Sequence, residues 1–264
     1  MASSANVKIL PSKSILGISQ QVEYLISYRL KRALTVLKME YIIGGVGSTF
    51  RRSMILKCGL YDTDTMTEDI DLTLKMIKLF GNRKYKVNYA ADAVAYTEHV
   101  MTFRSLIKQR FRWKYGRMQS LLKNKGLFFS RDARYSRGLS WYQLPYAIFG
   151  EISLFLEPLL VGYILYVAVR YVDIMSIAFV YVAVTIFITL VVLGENSESA
   201  RSKIAVSLVL PVMYICMYLL TVVELAALLK SLKLSKKLFN KEITESSWTH
   251  VERSGLPINV NLIK

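Results

Sequence analysis

Histidine and cysteine are almost missing: 264 residues carry two of each, His99 and His250, Cys58 and Cys216. That scarcity excludes a His-rich metal centre, a paired-cysteine zinc site and a disulfide framework, and no neighbours identify a Ser/His/Asp triad around either histidine. Phosphate-loop spacing is also missing, because the glycines follow neither GxGxxG nor GxxxxGK. No internal repeat or low-complexity run is present.

Charge of one sign dominates, with 35 Lys and Arg against 19 Asp and Glu. It is unevenly spread: residues 1–140 carry a net +15, residues 141–229 a net −3 and residues 230–264 a net +4. The positive regions flank an apolar block. A bilayer core of about 30 Å needs roughly 20 apolar helical residues, and three segments qualify: Leu144 to Val169, Ile174 to Leu193 and Ile204 to Leu229. None lies at the N-terminus, so none reads as a cleaved leader. Basic flanks beside such spans point to lipid head groups. Nucleic acid is not an expected partner, since the aromatics gather near the membrane instead of interleaving with the charges.

Residues 1–100 alternate strand and helix as an α/β layer does. Asn6 to Leu10 reads as a strand that begins abruptly, as in the middle of a domain. From Ile15 to Met39, Ile18, Val22, Leu25, Ile26, Leu30, Leu34 and Leu37 recur at helical spacing. They lie opposite Arg29, Lys31, Arg32 and Lys38, a basic face suited to phosphates or lipid head groups. Ile42 to Arg52 is a glycine-dense strand and turn ending in Arg51 and Arg52, either a plain tight turn or part of a ligand site. Ser53 and Gly59 bound a short helix, and Thr67 caps another running to Phe80 with Ile70, Leu74 and Ile77 inward. Residues 84–89 and 93–96 read as strands. Thr102 caps a helix to about Leu122 with Phe103, Leu106, Ile107 and Phe111 inward. Residues 123–143 mix Lys and Arg with Phe128, Phe129, Trp141 and Tyr142, as an interfacial segment does.

Two clusters carry chemistry. Glu68, Asp69 and Asp71 occupy the first turn of a helix, where carboxylates either complement the helix dipole or serve a site. Gln109-Arg110-Phe111-Arg112-Trp113 brings two guanidiniums and an indole to one side of a helix, either a solvated basic face or a clamp for phosphate and a sugar ring.

The order FRR, TEDxDL, QRxRW and then membrane spans resembles processive family 2 glycosyltransferases, the group of cellulose, hyaluronan, chitin and poly-N-acetylglucosamine synthases. The likeness is strongest to the bacterial poly-beta-1,6-N-acetylglucosamine synthases and runs to a tail with Trp248 and Arg253-Ser254-Gly255. The resemblance implies an inverting enzyme moving sugar from a nucleotide-sugar donor, UDP-N-acetylglucosamine or UDP-glucose, to a growing beta-linked polysaccharide acceptor. Asp69 matches the general base, and Gln109, Arg110, Arg112 and Trp113 match the motif over the donor diphosphate and acceptor end. Arg51 and Arg52 match an arginine pair near the acceptor, and Glu68 and Asp71 orient the helix start.

The fold class implied is α/β plus transmembrane helices: the C-terminal half of a GT-A domain (residues 1–122), an interfacial segment (123–143), about three membrane-embedded helices (144–229) and a basic cytosolic tail (230–264). The resemblance also implies a divalent metal, Mg or Mn, on a DxD motif that is expected to be absent from this chain, so no metal ligand is assigned. Asp62-Thr63-Asp64 has the right letters in the wrong place. The expectation is a multi-pass protein of the plasma membrane with its catalytic part cytosolic, inactive until a separate chain supplies the nucleotide-binding half. The alternative is a non-catalytic membrane subunit assisting a partner synthase. Three full crossings conflict with the positive-inside bias of the tail, and Glu151, Glu157 and Pro158 single out the first segment as the one that enters only partly or lies at the interface.

Overall fold

A computed structural model describes residues 1–12, 14–171, 174–195 and 198–233 of the chain. Strand β1 (Ala2–Ile9) is the centre of a three-stranded sheet of order β2-β1-β3. Nearly every residue of β1 is buried, as befits a strand covered on both faces. Strand β3 (Val87–Thr97) runs parallel to it and β2 (Thr49–Phe50) antiparallel. The register steps from Ala5↔Ala90 to Asn6↔Val94. This irregularity accommodates three extra residues, so the two strands expected at 84–89 and 93–96 are one, and β1 begins four residues earlier than its sequence indicates.

Helix α1 (Ile15–Val36) starts where the Ser14 hydroxyl accepts the Gly17 N–H at 3.0 Å. Its apolar stripe divides. Ile18, Val22, Leu25 and Ile26 pack against Ile188, Val192, Val206 and Leu210, whereas Leu30 and Leu37 stay exposed. Most of the expected glycine-dense strand is irregular backbone, with only Thr49 and Phe50 paired. Gly47, at φ +64°, has to be glycine, since a β-carbon there would lie 2.7 Å from that of Ala5.

Helix α2 (Arg52–Lys57) begins one residue before Ser53, so Arg51 rather than Ser53 takes the cap position, without a side-chain bond. Helix α3 (Glu68–Phe80) follows Thr67 and ends at Gly81. Ile70, Leu74 and Ile77 join the main core with Tyr41, Ile43, Val87, Leu121, Leu127 and Leu139. Helix α4 (Phe103–Lys123) is capped by Thr102, whose hydroxyl accepts the Ser105 N–H at 3.2 Å. Only part of its expected apolar face is inward: Leu106 is fully buried, while Phe103 and Ile107 are exposed.

A π-helical stretch, Gly138–Gln143, leads into α5 (Leu144–Tyr171). Pro145 accounts for it: its ring lacks an N–H and crowds the carbonyl four residues back, and a wider turn relieves both. Helices α6 (Ile174–Leu193) and α7 (Ala200–Lys233) follow. Among the described residues, two helical stretches, Gly138–Tyr171 and Ile174–Leu193, are long and apolar enough to cross a membrane. Their side chains are mostly exposed, Leu159, Tyr163, Val169, Met175 and Phe179 among them, as lipid contact requires. The third expected segment lies within α7. The tail from residue 234 on, with Trp248, His250 and Arg253, lies outside the described residues.

Candidate active site

Asp69 stands in the first turn of α3 with its Oδ1 accepting its neighbour Ile70 N–H at 2.8 Å. The Gly45 N–H also donates to this carboxylate, and a β-carbon at 45 would lie 3.7 Å from Oδ2. The glycine-dense segment therefore forms one wall around Asp69. Burial raises the Asp69 pKa above 3.8; the Ile70 N–H works against the rise and the adjacent Glu68 charge adds to it. Lys31 lies close enough to sense Asp69. Burial lowers the Lys31 pKa, while Glu40, 3.9 Å away, and Asp69 oppose that. Sequence periodicity put Lys31 on a basic face suited to phosphates or lipid head groups. In fact its ammonium donates to the Ile42 carbonyl and lies 5.5 Å from the Tyr28 ring centre; Tyr28 at i−3 was the available signal.

The acidic turn and the QRxRW helix are locked together. Thr67 was expected to cap α3, but its side chain makes no capping bond. Instead it meets Gly116 on α4, where a β-carbon would stand 2.6 Å from the Thr67 methyl and 2.8 Å from its backbone nitrogen. The Thr67 hydroxyl is 3.4 Å from Ser120 Oγ, and the Met66 N–H donates to Gln119 Oε1 at 3.0 Å. Arg112 and Trp113 lie about one turn before Gly116, and Asp69 two residues after Thr67. The two motifs thus share one helix junction, with about 5 Å of helix rise separating Trp113 from that contact.

Within QRxRW the side chains take different roles. Gln109 is buried, and its Oε1 has no hydrogen-bond partner among the described residues. Arg110, 4% exposed, pairs bidentately with Glu23 of α1 at 2.7 and 2.6 Å and stacks 4.5 Å from the Trp113 ring centre. Arg110 thereby heads a ladder at i, i+4, i+7. Glu224 of α7 lies 2.9 Å from Lys114 and 3.9 Å from Arg110, and Glu151 of α5 pairs with Lys114 at 3.2 Å and with Arg117. Three cations on one face of α4 meet three carboxylates from three helices, so the interior charge is balanced. The carboxylate at 151 within the first apolar segment thereby faces protein.

Asp71 is fully buried and ties α3 to the end of α4: Lys123 donates to it at 2.8 Å and Asn124 at 3.0 Å. Glu68 is half-buried beside Asp69, and Arg51 and Arg52 are exposed at the start of α2. Phe50, next to Arg51, meets Tyr61 edge-on at 6.4 Å, and the Asp69 charge helps to raise the Tyr61 pKa after burial.

Asp62, Asp64 and Asp71 place ligand atoms within 4.8 Å of one another, the closest approach to a divalent-metal site among the described residues. The group does not fit an ion as it stands. Lys123 Nζ lies 2.6, 2.7 and 2.8 Å from the three carboxylates, where the cation would be. Burial lowers the Lys123 pKa, and the bonds to the three carboxylates outweigh this and raise it. His99 has closer serine neighbours than its sequence surroundings indicated. Its Nε2 is 3.3 Å from Ser12 Oγ and 3.4 Å from Ser14 Oγ. Ser14 is the α1 cap, which makes this a helix-start arrangement rather than an activated nucleophile.

Residues 24–193 match the family described as Glycosyl transferase family group 2. The chain is 35% identical over 131 residues to a poly-beta-1,6-N-acetyl-D-glucosamine synthase of Staphylococcus aureus (strain COL), covering 49% of this chain and 30% of that protein. It is 34% identical over 124 residues to the synthase of the same description from Staphylococcus epidermidis, covering 47% of this chain and 29% of the relative. The matched stretch is thus under a third of either relative's length. With the family match extending over more than half of its residues, the chain belongs to glycosyl transferase family group 2.

Proposed function

We propose that this chain forms the acceptor side of a membrane-bound, inverting glycosyltransferase that adds N-acetylglucosamine from a UDP-sugar to a growing beta-linked polysaccharide. The observation that carries the proposal is the Asp69 carboxylate, held at raised pKa within one helix junction of Arg112 and Trp113. A sugar hydroxyl is a poor nucleophile. A carboxylate of raised basicity takes its proton as the oxygen attacks the anomeric carbon, and a single in-line displacement inverts that carbon. Arg112 places positive charge where the leaving diphosphate gains negative charge, Gln109 offers a buried carbonyl to a sugar hydroxyl, and Trp113 supplies a flat face. Arg110, committed to Glu23, holds the helix in place, and Arg51 and Arg52 border the acceptor.

The donor nucleotide and its divalent metal belong, in this proposal, to a complementary portion of a GT-A domain. The acidic cluster around Lys123 does not fit a metal, and the chain aligns with under a third of its relatives. Residues 1–122 are then the transferase portion, 123–143 the interfacial segment and 144–229 the membrane-associated region. We place α5 and α6 across the plasma membrane as a hairpin with the transferase portion cytosolic. Helix α7 runs along α4 on the cytosolic side, supported by Leu220 and Val223 against Val100 and Leu106, and by Lys230 over the Phe111 ring at 4.5 Å. Two crossings return the chain to the side favoured by its basic residues.

The experiment is polymer synthesis in membranes by this chain co-expressed with the nucleotide-binding portion of a staphylococcal relative. Synthesis is expected, and Asp69→Asn should lower it by about 10²- to 10⁴-fold with membrane insertion unchanged. Full synthesis by the Asn variant refutes the assignment of the base. Binding of the chain to the donor portion without any synthesis favours the second reading, a non-catalytic subunit.

A further inference from the structure

One face of α1 meets α4, and the two polar side chains on it hold different things. Leu16, Gln20 and Glu23 fall at i, i+4 and i+7, on one side of the helix. Leu16 packs with Val100 and Leu106. The buried Gln20 side-chain amide donates to the Val100 carbonyl and accepts the Val100 N–H, both at 3.0 Å. Val100 stands two residues before Thr102, the α4 cap, so this pairing fixes where the helix begins. Farther along α4, Lys114 meets Glu224 and Arg117 meets Glu151. The helix is thus anchored at its start and along its length without Glu23.

What Glu23 fixes is a single guanidinium. Its Oε1 and Oε2 accept the two terminal N–H groups of Arg110 at 2.7 and 2.6 Å. Glu224, 3.9 Å from Arg110, is beyond hydrogen-bond reach. The Arg110 Nε has no hydrogen-bond partner among the described residues. Such a fork sets the plane of a guanidinium, so among the described residues Glu23 alone orients this one. On its other side the Arg110 Cζ lies 4.5 Å from the centre of the Trp113 ring. The ring quadrupole attracts a cation held there, and an indole backed in this way loses freedom to turn. Trp113 is only half-buried, so part of the ring stays accessible. A single line of contacts therefore runs from α1 to the indole: Glu23, Arg110, Trp113.

We propose that Glu23 is a positioning residue for sugar transfer: through Arg110 it sets the orientation of the Trp113 indole against the acceptor sugar, without touching substrate itself. The consequence for turnover rests on the glycosyltransferase function proposed above; the orientation of the ring does not. The plain alternative is that Glu23 only balances a buried cation. Any carboxylate–guanidinium pair at these two positions would then serve, whichever residue carried which charge.

The test reads the ring directly. The chain has three tryptophans, Trp113, Trp141 and Trp248, so Trp141→Phe with Trp248→Phe leaves Trp113 as the sole indole emitter in the full chain, reconstituted in phosphatidylcholine nanodiscs. Glu23→Gln keeps the side-chain shape and removes its charge. It should speed the anisotropy decay of Trp113 and increase its quenching by acrylamide, with helix content retained. In the synthase reconstituted with the nucleotide-binding portion, Glu23→Gln should lower kcat by about 10²-fold and leave KM for UDP-N-acetylglucosamine unchanged. Exchanging the pair, Glu23→Arg with Arg110→Glu, should restore the melting temperature but neither the Trp113 signal nor kcat, because the negative face of the ring repels a carboxylate. A Trp113 signal identical in the parent and in Glu23→Gln overturns the proposal, whether or not polymer forms. So does an exchanged pair that recovers both signal and turnover, since charge balance would then be the whole role. Glu23→Asp, which keeps the charge and withdraws it by one methylene, gives the same fluorescence comparison in a second variant, and an unchanged signal there overturns the proposal equally. Synthesis that survives Asp69→Asn, by contrast, refutes the assignment of the base and leaves the Trp113 signal to decide what Glu23 does.

Discussion

Asp69 gains basicity from burial, and this sets a sign for two measurements. As the proposed base, Asp69 works ionised, so synthesis should fall as pH drops through its folded pKa. Because burial raises that value above 3.8, the acid limb should lie at higher pH than an ordinary aspartate gives. The same shift lowers stability once pH exceeds the unfolded pKa, since the charged form is disfavoured in the fold. Asp69→Asn should therefore leave the melting temperature unchanged or higher while activity collapses; a large drop in melting temperature would mark Asp69 as structural. Lys123 is the opposite case. Lys123→Met leaves fully buried Asp71 with only Asn124, and should cost about 2 kcal/mol in thermal or chemical unfolding. It should also open the Asp62, Asp64 and Asp71 group to manganese, observable by calorimetry as binding that the parent chain lacks. The motif letters singled out Asp69 in the sequence. They could not reveal that Lys123, 52 residues from Asp71, would fill the acidic group, because that pairing exists only once α3 and α4 have docked.

At the scale of elements, the junction between α3 and α4 depends on the absence of a side chain at 116. Gly116→Val would push α4 off Thr67 and displace Arg112 and Trp113 from Asp69. Overpacking of this kind costs typically about 1–3 kcal/mol, and activity should fall further than stability because positioning is lost as well. Comparing melting temperature with polymer yield separates the two; a yield that tracks stability alone would mean the junction positions nothing. Helix existence and type were readable from periodicity and caps, since Thr102 and Gly81 bound helices by local backbone chemistry. Which faces are buried was less readable. Phe103 and Ile107 on α4, and Leu30 and Leu37 on α1, follow the apolar pattern yet stay uncovered, because a chain beside a bilayer does not need to turn every apolar side chain inward. The single strand β3 was read as two for a different reason: an irregular register interrupts the alternation that marks a strand.

For the whole molecule, the charge pattern already divided a basic α/β portion from an apolar block, and the structure explains how they are joined. The cations 110, 114 and 117 on α4 draw carboxylates from α1, α5 and α7 to one face. Glu224→Lys would set a third cation among Arg110 and Lys114, and should release α7 from α4. Cysteines at Leu106 and Val223, neighbours in one apolar cluster, should crosslink readily in the parent and poorly in that variant. With α7 so docked, a cysteine at Leu232 should react with an impermeant thiol reagent only after cells are opened, whereas one at Tyr171, at the hairpin tip, should react from outside.

The most direct test of the shared cleft is a double-mutant cycle in the reconstituted synthase, combining Asp69→Asn with Trp113→Ala and measuring polymer formation. If base and indole act on one acceptor in one site, the double variant should be about as impaired as the worse single variant. Losses that simply multiply would show that the two groups work independently, and the account of a single sugar-transfer cleft would be contradicted.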